Sequence, residues 1–346
     1  MTTPEMMRAL VVTQDGYSGT ATGPTIDRLS DWVSLKDVPV PQPSGNEVLI
    51  KVGLANVNPS DLHYIKGEYG QPRRAGVPAG FEGMGTVVAA GSPAGEAMVG
   101  KRVAFSTSQG GSGAWASYAL TDANAVAPLI DGLRDEDGAA LIVNPLTAFA
   151  MVRLAKEHGA KSFVMTAGAS QLCKLMASFA RDEGLAAIAI VRREEHRATL
   201  TELGAAEVLD ATAPDFQAKL DATLKAHAPT ILLDAVADNV SATIFSAMPR
   251  RSRWIVYGKL SSENPTLPGL GQMVFMGKVI EGFWLTDWMR RATPEQRMEA
   301  FTTAQTRFAK GQWKTDVAAI IDLADAPDTL ADALKGMNRG KVLIRP

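Results

Sequence analysis

Two periodicities divide this chain. Up to about residue 132 the apolar residues fall in short runs: RALVV (8–12), EVLIKVGLANV (47–57), GMGTVVAAG (83–91) and KRVAFS (101–106). Turn signals such as Pro41-Gln42-Pro43-Ser44-Gly45 and Gly91-Ser92-Pro93 separate them. Runs of that length between such punctuation predict the strands of a β-rich, barrel-like domain. The polar stretch from Asp15 to Asp31, rich in Gly and Thr, predicts an irregular loop.

Beyond residue 132 the pattern changes. DEDGAALIVN predicts a short helix, and Asn144 a cap for the next, with Pro145 at its first position and Gly159 at its end. Five apolar strands follow, SFVMTA (162–167), AAIAIV (186–191), EVLD (207–210), TILLDAV (230–236) and RWIVYG (253–258). Helical patterns over 169–181, 194–204, 215–227 and 239–248 lie between them. This alternation predicts a parallel sheet covered on both faces, a doubly wound Rossmann domain in an α/β protein. A further helix is expected over 294–310, and the tail ends in the strand-like KVLI (341–344). The ends of a split domain can pair, so the tail is assigned to the first domain. The expected division is 1–132, 133–286 and 287–346.

Composition narrows the function. A length of 346 residues exceeds one ordinary core and suits two domains. The balance of 35 basic and 37 acidic residues leaves no excess to neutralise nucleic-acid phosphates. No apolar run reaches the ~18 residues that span a bilayer. The opening MTTPEMMRALVV lacks the features of a secretory leader, so a cytoplasmic location is expected. A single cysteine, Cys173, excludes an intramolecular disulfide. The four histidines, His63, His158, His196 and His227, are scattered, so no metal site is expected.

The candidate dinucleotide site is the turn Thr166-Ala167-Gly168-Ala169-Ser170-Gln171-Leu172-Cys173, which follows an apolar strand and opens a helix. Small residues there let a pyrophosphate approach the helix N-terminus, making Gly168, Ala169, Ser170, Gln171 and Leu172 candidate contacts. The turn is not GxGxxG, because Ser170 and Cys173 stand where glycines would fall. Without its βαβ context it reads equally as an ordinary connection. Cys173 is expected to be a small packing residue. The second strand ends at Arg192-Arg193, 24 residues (192 − 168) after Gly168. A carboxylate there would bind the ribose hydroxyl of NAD, whereas arginine accommodates the 2′-phosphate of NADP, so NADPH is the expected cofactor. The rival reading is a solvated face, with Arg193 and Arg197 spaced i,i+4 beside Glu194 and Glu195.

Five segments then carry a resemblance: NPSDLHYIKGEYG (58–70), GFEGMGTVVAAGS (80–92), GSGAWASYAL (111–120), NPLTAFAMV (144–152) and GFWLTDW (282–288). In order and spacing, over nearly the whole chain, they resemble zinc-independent medium-chain dehydrogenases/reductases. The mitochondrial-type 2-enoyl thioester reductases are the nearer likeness, and the NADPH:quinone oxidoreductases a looser one. The resemblance implies that the first domain is GroES-like. Zinc-dependent relatives carry a cysteine and a histidine ligand where Asn58 and Phe81 stand here, and the cysteine-rich zinc lobe is absent.

The resemblance also implies roles. Tyr69 is similar to the catalytic tyrosine of the enoyl reductases, and Asn58 to the asparagine lining the nicotinamide pocket. Asn144 and Thr147 resemble residues beside the nicotinamide ribose and phosphates. Gly258 resembles a close-approach glycine after the fifth strand. Phe283 and Trp284 resemble a pair whose backbone edges the carboxamide. Lys341 resembles a lysine of the C-terminal strand that reaches the cofactor. Each has a plainer alternative. Tyr69 can be a surface tyrosine, Asn58 a turn former and Lys341 an edge-strand charge. FWLTDW can be a core or interface cluster.

The function so implied is hydride transfer from NADPH to the β-carbon of an enoyl thioester or enone, with Tyr69 as hydrogen-bond and proton donor in place of a metal. Quinone reduction is the alternative, and a weakly catalytic NADPH-binding sensor a third. The expected partners are a small-molecule substrate and a second copy of the chain, paired through an exposed sheet edge. An acyl-carrier substrate would want a basic entrance, for which Arg73, Arg74, Arg250, Arg251, Arg253, Arg290 and Arg291 are candidates, although solvated surface is their commoner role.

Overall fold

The computed structural model describes residues 3–107, 111–267, 269–337 and 339–346. It divides into two compact units, Met1–Val143 with Ala304–Pro346, and Asn144–Thr303.

Unit one begins with β1 (Met6–Val12), β2 (Val33–Pro39), β3 (Glu47–Asn56), α1 (Pro59–Lys66) and β4 (Glu82–Ala90). It continues through α2 (Pro93–Glu96), β5 (Arg102–Ser106), β6 (Tyr118–Asp122), β7 (Val126–Pro128) and α3 (Asp135–Ala139). Unit two holds α4 (Val143–Glu157), β8 (Ser162–Met165), α5 (Gln171–Asp182), β9 (Ala186–Val191), α6 (Arg197–Leu203), β10 (Ala205–Asp210) and α7 (Phe216–His227). Then come β11 (Ile231–Asp234), α8 (Asn239–Ala247), β12 (Arg253–Val256), α9 (Gly271–Met276), β13 (Val279–Gly282), α10 (Leu285–Arg291) and α11 (Pro294–Ala309), which passes into unit one from Ala304. The chain ends in unit one with β14 (Val317–Asp322), α12 (Ala326–Leu334) and β15 (Lys341–Arg345).

In unit one β14, β15, β3, β4, β5 and β7 lie side by side, with β6 also on β3 and β1–β2 a separate ribbon. The terminal strand does close this unit: Leu343 faces Asn56 and Ile344 faces Ala55 in antiparallel register. Leu10, Ile50, Phe105, Trp115 and Ile344 fill the core. The pattern of apolar runs missed α1, whose signal is capping chemistry. Asn58 caps it, Pro59 opens it, the Asp61 carboxylate accepts the Asn58 N–H, and Gly67 ends it at φ 74°.

Among the described residues unit two holds six strands, all parallel, in the order β10-β9-β8-β11-β12-β13. Numbered along the chain this is 3-2-1-4-5-6, the doubly wound order whose switch point lies between β8 and β11. Val164, Ile188, Leu232, Phe245 and Trp254 form a core around it.

The units divide at other places than the expected edges. Asp137 accepts the Thr315 N–H and Gln305 accepts the Ile130 N–H, joining α3 to the returning chain in unit one. Trp288 packs on Phe149 and Arg153 pairs with Glu299, which keeps 287–303 in unit two. Asn144 is not a cap, since α4 starts at Val143. The Glu82 carboxylate accepts the N–H groups of Ile142 and Val143 there.

The segment read as an irregular loop is irregular but pinned. The Glu68 side chain is 2% exposed and accepts from the Thr20 hydroxyl, the Thr22 amide and hydroxyl, and the Gly23 amide. The Lys66 ammonium donates to the carbonyls of Gly23 and Thr25. Burial alone would raise the Glu68 carboxyl, but the Thr22 and Thr20 donors and Lys66 outweigh it and hold it at about 2. Between its ordinary 4.5 and about 2 the unfolded chain therefore binds the extra proton. That stabilisation is complete above pH ~4.5 and is lost as pH falls toward 2. Glu68→Gln should cost about 2 kcal/mol at pH 7 and flatten the loss of stability toward acid. Urea unfolding at pH 7 and pH 3.5 measures both, and a variant with the parent's pH slope excludes the role.

Candidate functional site

In unit one a polar cluster lies at the junction of β3, α1, β4 and β15. Asn56 and Asn58 each donate from Nδ2 to Glu82 Oε1 at 2.7 Å. Lys341 Nζ donates to Asn58 Oδ1 at 2.6 Å, although 283 residues separate the two. Asp61 accepts the backbone N–H groups of Asn58 and Phe81, both at 2.7 Å. All five polar side chains are buried. Burial pushes the Asp61 carboxyl up to about 7, assisted by Glu82 and opposed by the Asn58 and Phe81 amides and Lys341. Burial pulls the Lys341 amine down to about 8, against the pull of Glu82 and Asp61.

Tyr69 follows α1 and rests on the ring of Phe81, centroids 5.0 Å apart. Tyr64 meets Phe81 at 5.2 Å. Phe81 thus stands in an aromatic wall with Tyr64 and Tyr69. A cavity of about 230 Å³ opens beside Phe81, lined by Tyr64, Gln71, Arg74, Thr107 and Ser112 among others. Among the described residues no group of three or more His, Cys, Asp or Glu side chains converges as a metal site would.

In unit two the sequence-derived residues lie after neighbouring strands. Gly168 follows β8, Arg192 and Arg193 follow β9, Gly258 follows β12, and Phe283 and Trp284 follow β13. All are at the carboxyl ends of a parallel sheet, where doubly wound folds bind ligands. Ala167 takes φ 51°, and the Gly168 N–H donates to the Ile190 carbonyl. A Cβ on Gly168 would come within 2.9 Å of that carbonyl and 3.0 Å of the Ala189 Cβ. The turn therefore lies tight against β9. One on Gly258 would come within 2.9 Å of the Ala235 carbonyl.

Gln171 and Leu172 open α5, and the Ser170 hydroxyl caps it by accepting the Cys173 N–H. The Cys173 thiol is buried and donates to the Thr166 carbonyl. Burial raises it to about 11, so it is a packing residue and not a reactive thiolate.

The arginines separate. Arg193 pairs with Glu195 and Arg197 with Glu194, as the solvated-face reading has it. Arg192 is exposed and, among the described residues, makes no ion pair. Thr147 is buried within α4 and Asn144 half-buried in its first turn. The Phe283 N–H is already used by the Val256 carbonyl, and Arg290 lies over the Trp284 ring. Several arginines of the suggested entrance are engaged locally. Arg73 is buried and donates to the Ile65 carbonyl, while Arg250 donates to the Phe275 carbonyl, Arg253 pairs with Glu281 and the exposed Arg291 with Asp287.

Asn56, Asp61 and Glu82 of the polar cluster escaped the sequence reading, and so did one residue of unit two. Asp234, at the end of β11, accepts from Thr166 Oγ1, Ser241 Oγ, Trp254 Nε1 and the amides of Val236 and Ala237. It ties the end of β8 to that of β11 at the switch point. Its signal was an acidic residue closing the apolar run ILLD.

A six-stranded parallel sheet in this doubly wound order is the architecture on which dinucleotide-dependent dehydrogenases and reductases are built. Residues 44–131 match the alcohol dehydrogenase GroES-like domain. A solved Mesorhizobium loti protein, provisionally assigned as an NADPH:quinone reductase, is 49% identical, with 100% of each chain covered and a TM-score of 0.95. A similarly assigned Bacillus thuringiensis protein shares the fold at 22% identity, with 99% of each chain covered and a TM-score of 0.84. The mitochondrial enoyl-[acyl-carrier-protein] reductase of Bos taurus is 25% identical over 85% of this chain and 79% of its own. The chain belongs to the medium-chain dehydrogenase/reductase family of oxidoreductases.

Proposed function

We propose that this protein is a zinc-independent reductase that uses NADPH to reduce an activated C=C bond, as in an enoyl thioester or enone. The observation that carries the cofactor half is Arg192. Its guanidinium is unpaired among the described residues, at the end of the strand against which the Gly168 turn is pressed. A narrow turn beside a free fork of donors fits a dinucleotide with a 2′-phosphate. Bound there, the reduced nicotinamide would supply the hydride.

The chain's own residues supply the rest. Tyr69, on its aromatic wall, donates a hydrogen bond to the acceptor carbonyl and is the source of the proton for the α-carbon. Asn58, at the opposite end of α1, is held rigid by Lys341 and Glu82. The bovine relative, an enoyl reductase by name, supports this acceptor class. The Mesorhizobium loti relative favours a second reading, quinone reduction, in which Tyr69 is dispensable.

Two variants test the two halves. Arg192→Ala should weaken NADPH binding by about 2 kcal/mol, roughly thirtyfold in Kd, and leave NADH within threefold. Equal changes for both cofactors refute the 2′-phosphate contact. Tyr69→Phe should lower kcat on crotonyl thioester about a hundredfold. Undiminished turnover removes Tyr69, and a panel in which quinones outrun enoyl substrates selects the second reading. NADPH bound but oxidised by neither class would leave a sensor.

The partner in this reading is a second copy. β13 pairs only with β12 among the described strands, so its outer edge is open. Beside it Leu270, Val274 and Phe275 are exposed by 70%, 72% and 74%. An open strand edge flanked by apolar side chains is an association surface. Light scattering should report a dimer that Phe275→Asp dissociates, and a monomeric parent at micromolar concentration would end the proposal.

A further inference from the structure

The resemblance gives Lys341 to the cofactor, but its surroundings give it other work. We propose that Lys341 is a positioning residue: from the last strand of the chain its ammonium fixes the orientation of the Asn58 amide.

The argument begins with delivery. β15 is registered against β3, with Leu343 facing Asn56, so Lys341 enters unit one at a set height. Gly340 lets the strand start, because a Cβ there would come within 2.6 Å of the Asp316 carbonyl. The Lys341 N–H then donates to that same carbonyl at 2.6 Å. Lys341 is 3% exposed, and its Nζ lies 2.6 Å from Asn58 Oδ1. The charged groups acting on it are Glu82 of β4 and Asp61 of α1.

An asparagine amide has an acceptor end and a donor end, and nothing in its shape prefers either orientation. Here an ammonium, which can only donate, stands at one end. A carboxylate, which can only accept, stands at the other, 2.7 Å from Nδ2. Reversing the amide would set donor against donor and oxygen against oxygen. Asn56 reinforces the arrangement weakly, its Nδ2 lying 3.4 Å from Asn58 Oδ1. Asn58 is thus locked by two groups on different elements, and only one of them comes from its own half of the chain. The catalytic side of this inference rests on Asn58 serving the proposed reductase reaction. The lock itself does not.

The test is a double-mutant cycle in the full-length protein, using Lys341→Met, Asn58→Ala and the double variant. Turnover, NADPH Kd by nicotinamide fluorescence and thermal midpoint are read for each. Lys341→Met should lower kcat about tenfold or more and leave the NADPH Kd within threefold. The double variant should be no slower than Asn58→Ala alone, because the lysine acts through the asparagine. Lys341→Gln, which keeps a neutral donor, should recover part of kcat and covers the case in which the methionine variant fails to fold. A tenfold rise in NADPH Kd with kcat unchanged would make Lys341 a cofactor contact and overturn the proposal, as would multiplicative losses in the double variant. Should Asn58→Ala turn over normally, the assigned role of Asn58 fails, and the lock is judged from the thermal midpoints alone. Non-additive shifts uphold it and additive shifts overturn it.

Discussion

A carboxylate withdrawn from water must be met by donors, and both units are organised around that demand. Glu82 is completely buried at the start of β4, and Asp234 equally so at the end of β11. Glu82 accepts from Asn56, Asn58 and the amides of Ile142 and Val143. Asp234 accepts from two hydroxyls, an indole and two amides. Leaving one such bond unmade costs about 1–3 kcal/mol, a large fraction of a domain's net stability. The donors therefore have little freedom. Their elements are where the carboxylates require them.

In unit one the demand propagates. Two buried carboxyl groups, Asp61 and Glu82, face one buried ammonium, Lys341. A buried ion pair contributes little net stability, yet breaking one by removing a partner is expensive. The cluster is thus better understood as a device for orientation than for stability. It fixes the first turn of α1 through Asp61 and the Asn58 amide through Glu82 and Lys341. Tyr69 sits one turn beyond α1 on the Phe81 ring, whose own amide is bound to Asp61. One set of charges thus holds each residue that the resemblance marks as catalytic.

The fold was legible where periodicity is long and was lost where the signal is local or distant. Five of the six strands of the parallel sheet stand out because strands buried on both faces are continuous apolar runs. β13 did not, because its residues are largely exposed. β7 has three residues, too few for any period to register. α1 was written in capping chemistry, N-P-S-D, within a segment too short and too polar for helical periodicity. Asn144 illustrates the opposite error: a good capping residue before proline was overruled by a carboxylate 62 positions earlier (144 − 82). The pairing of Asn58 with Lys341 spans nearly the whole sequence, and no local pattern encodes a contact at that range. Asp234 was in plain view, but an acidic residue ending a strand reads as a turn former until its donors are known.

The Gly168 turn shows how a degraded motif can keep the geometry of the full one. The glycine fingerprint combines a tight turn, close backbone approach and helix–strand packing. Gly168 keeps the position at which a Cβ would strike β9. Ala167 takes the left-handed conformation in its stead, at a cost of roughly 1–2 kcal/mol for a residue with a side chain. Ser170 turns its hydroxyl back to cap α5, and Cys173 buries its thiol under the Thr166 carbonyl. Both larger residues thus satisfy groups within their own unit. The surrounding structure holds the strained alanine: Thr166 is anchored to Asp234, and Gly168 to Ile190. Asp234 therefore does for this turn what additional glycines do elsewhere. It supplies by hydrogen bonding a geometry that the backbone of these residues would not choose.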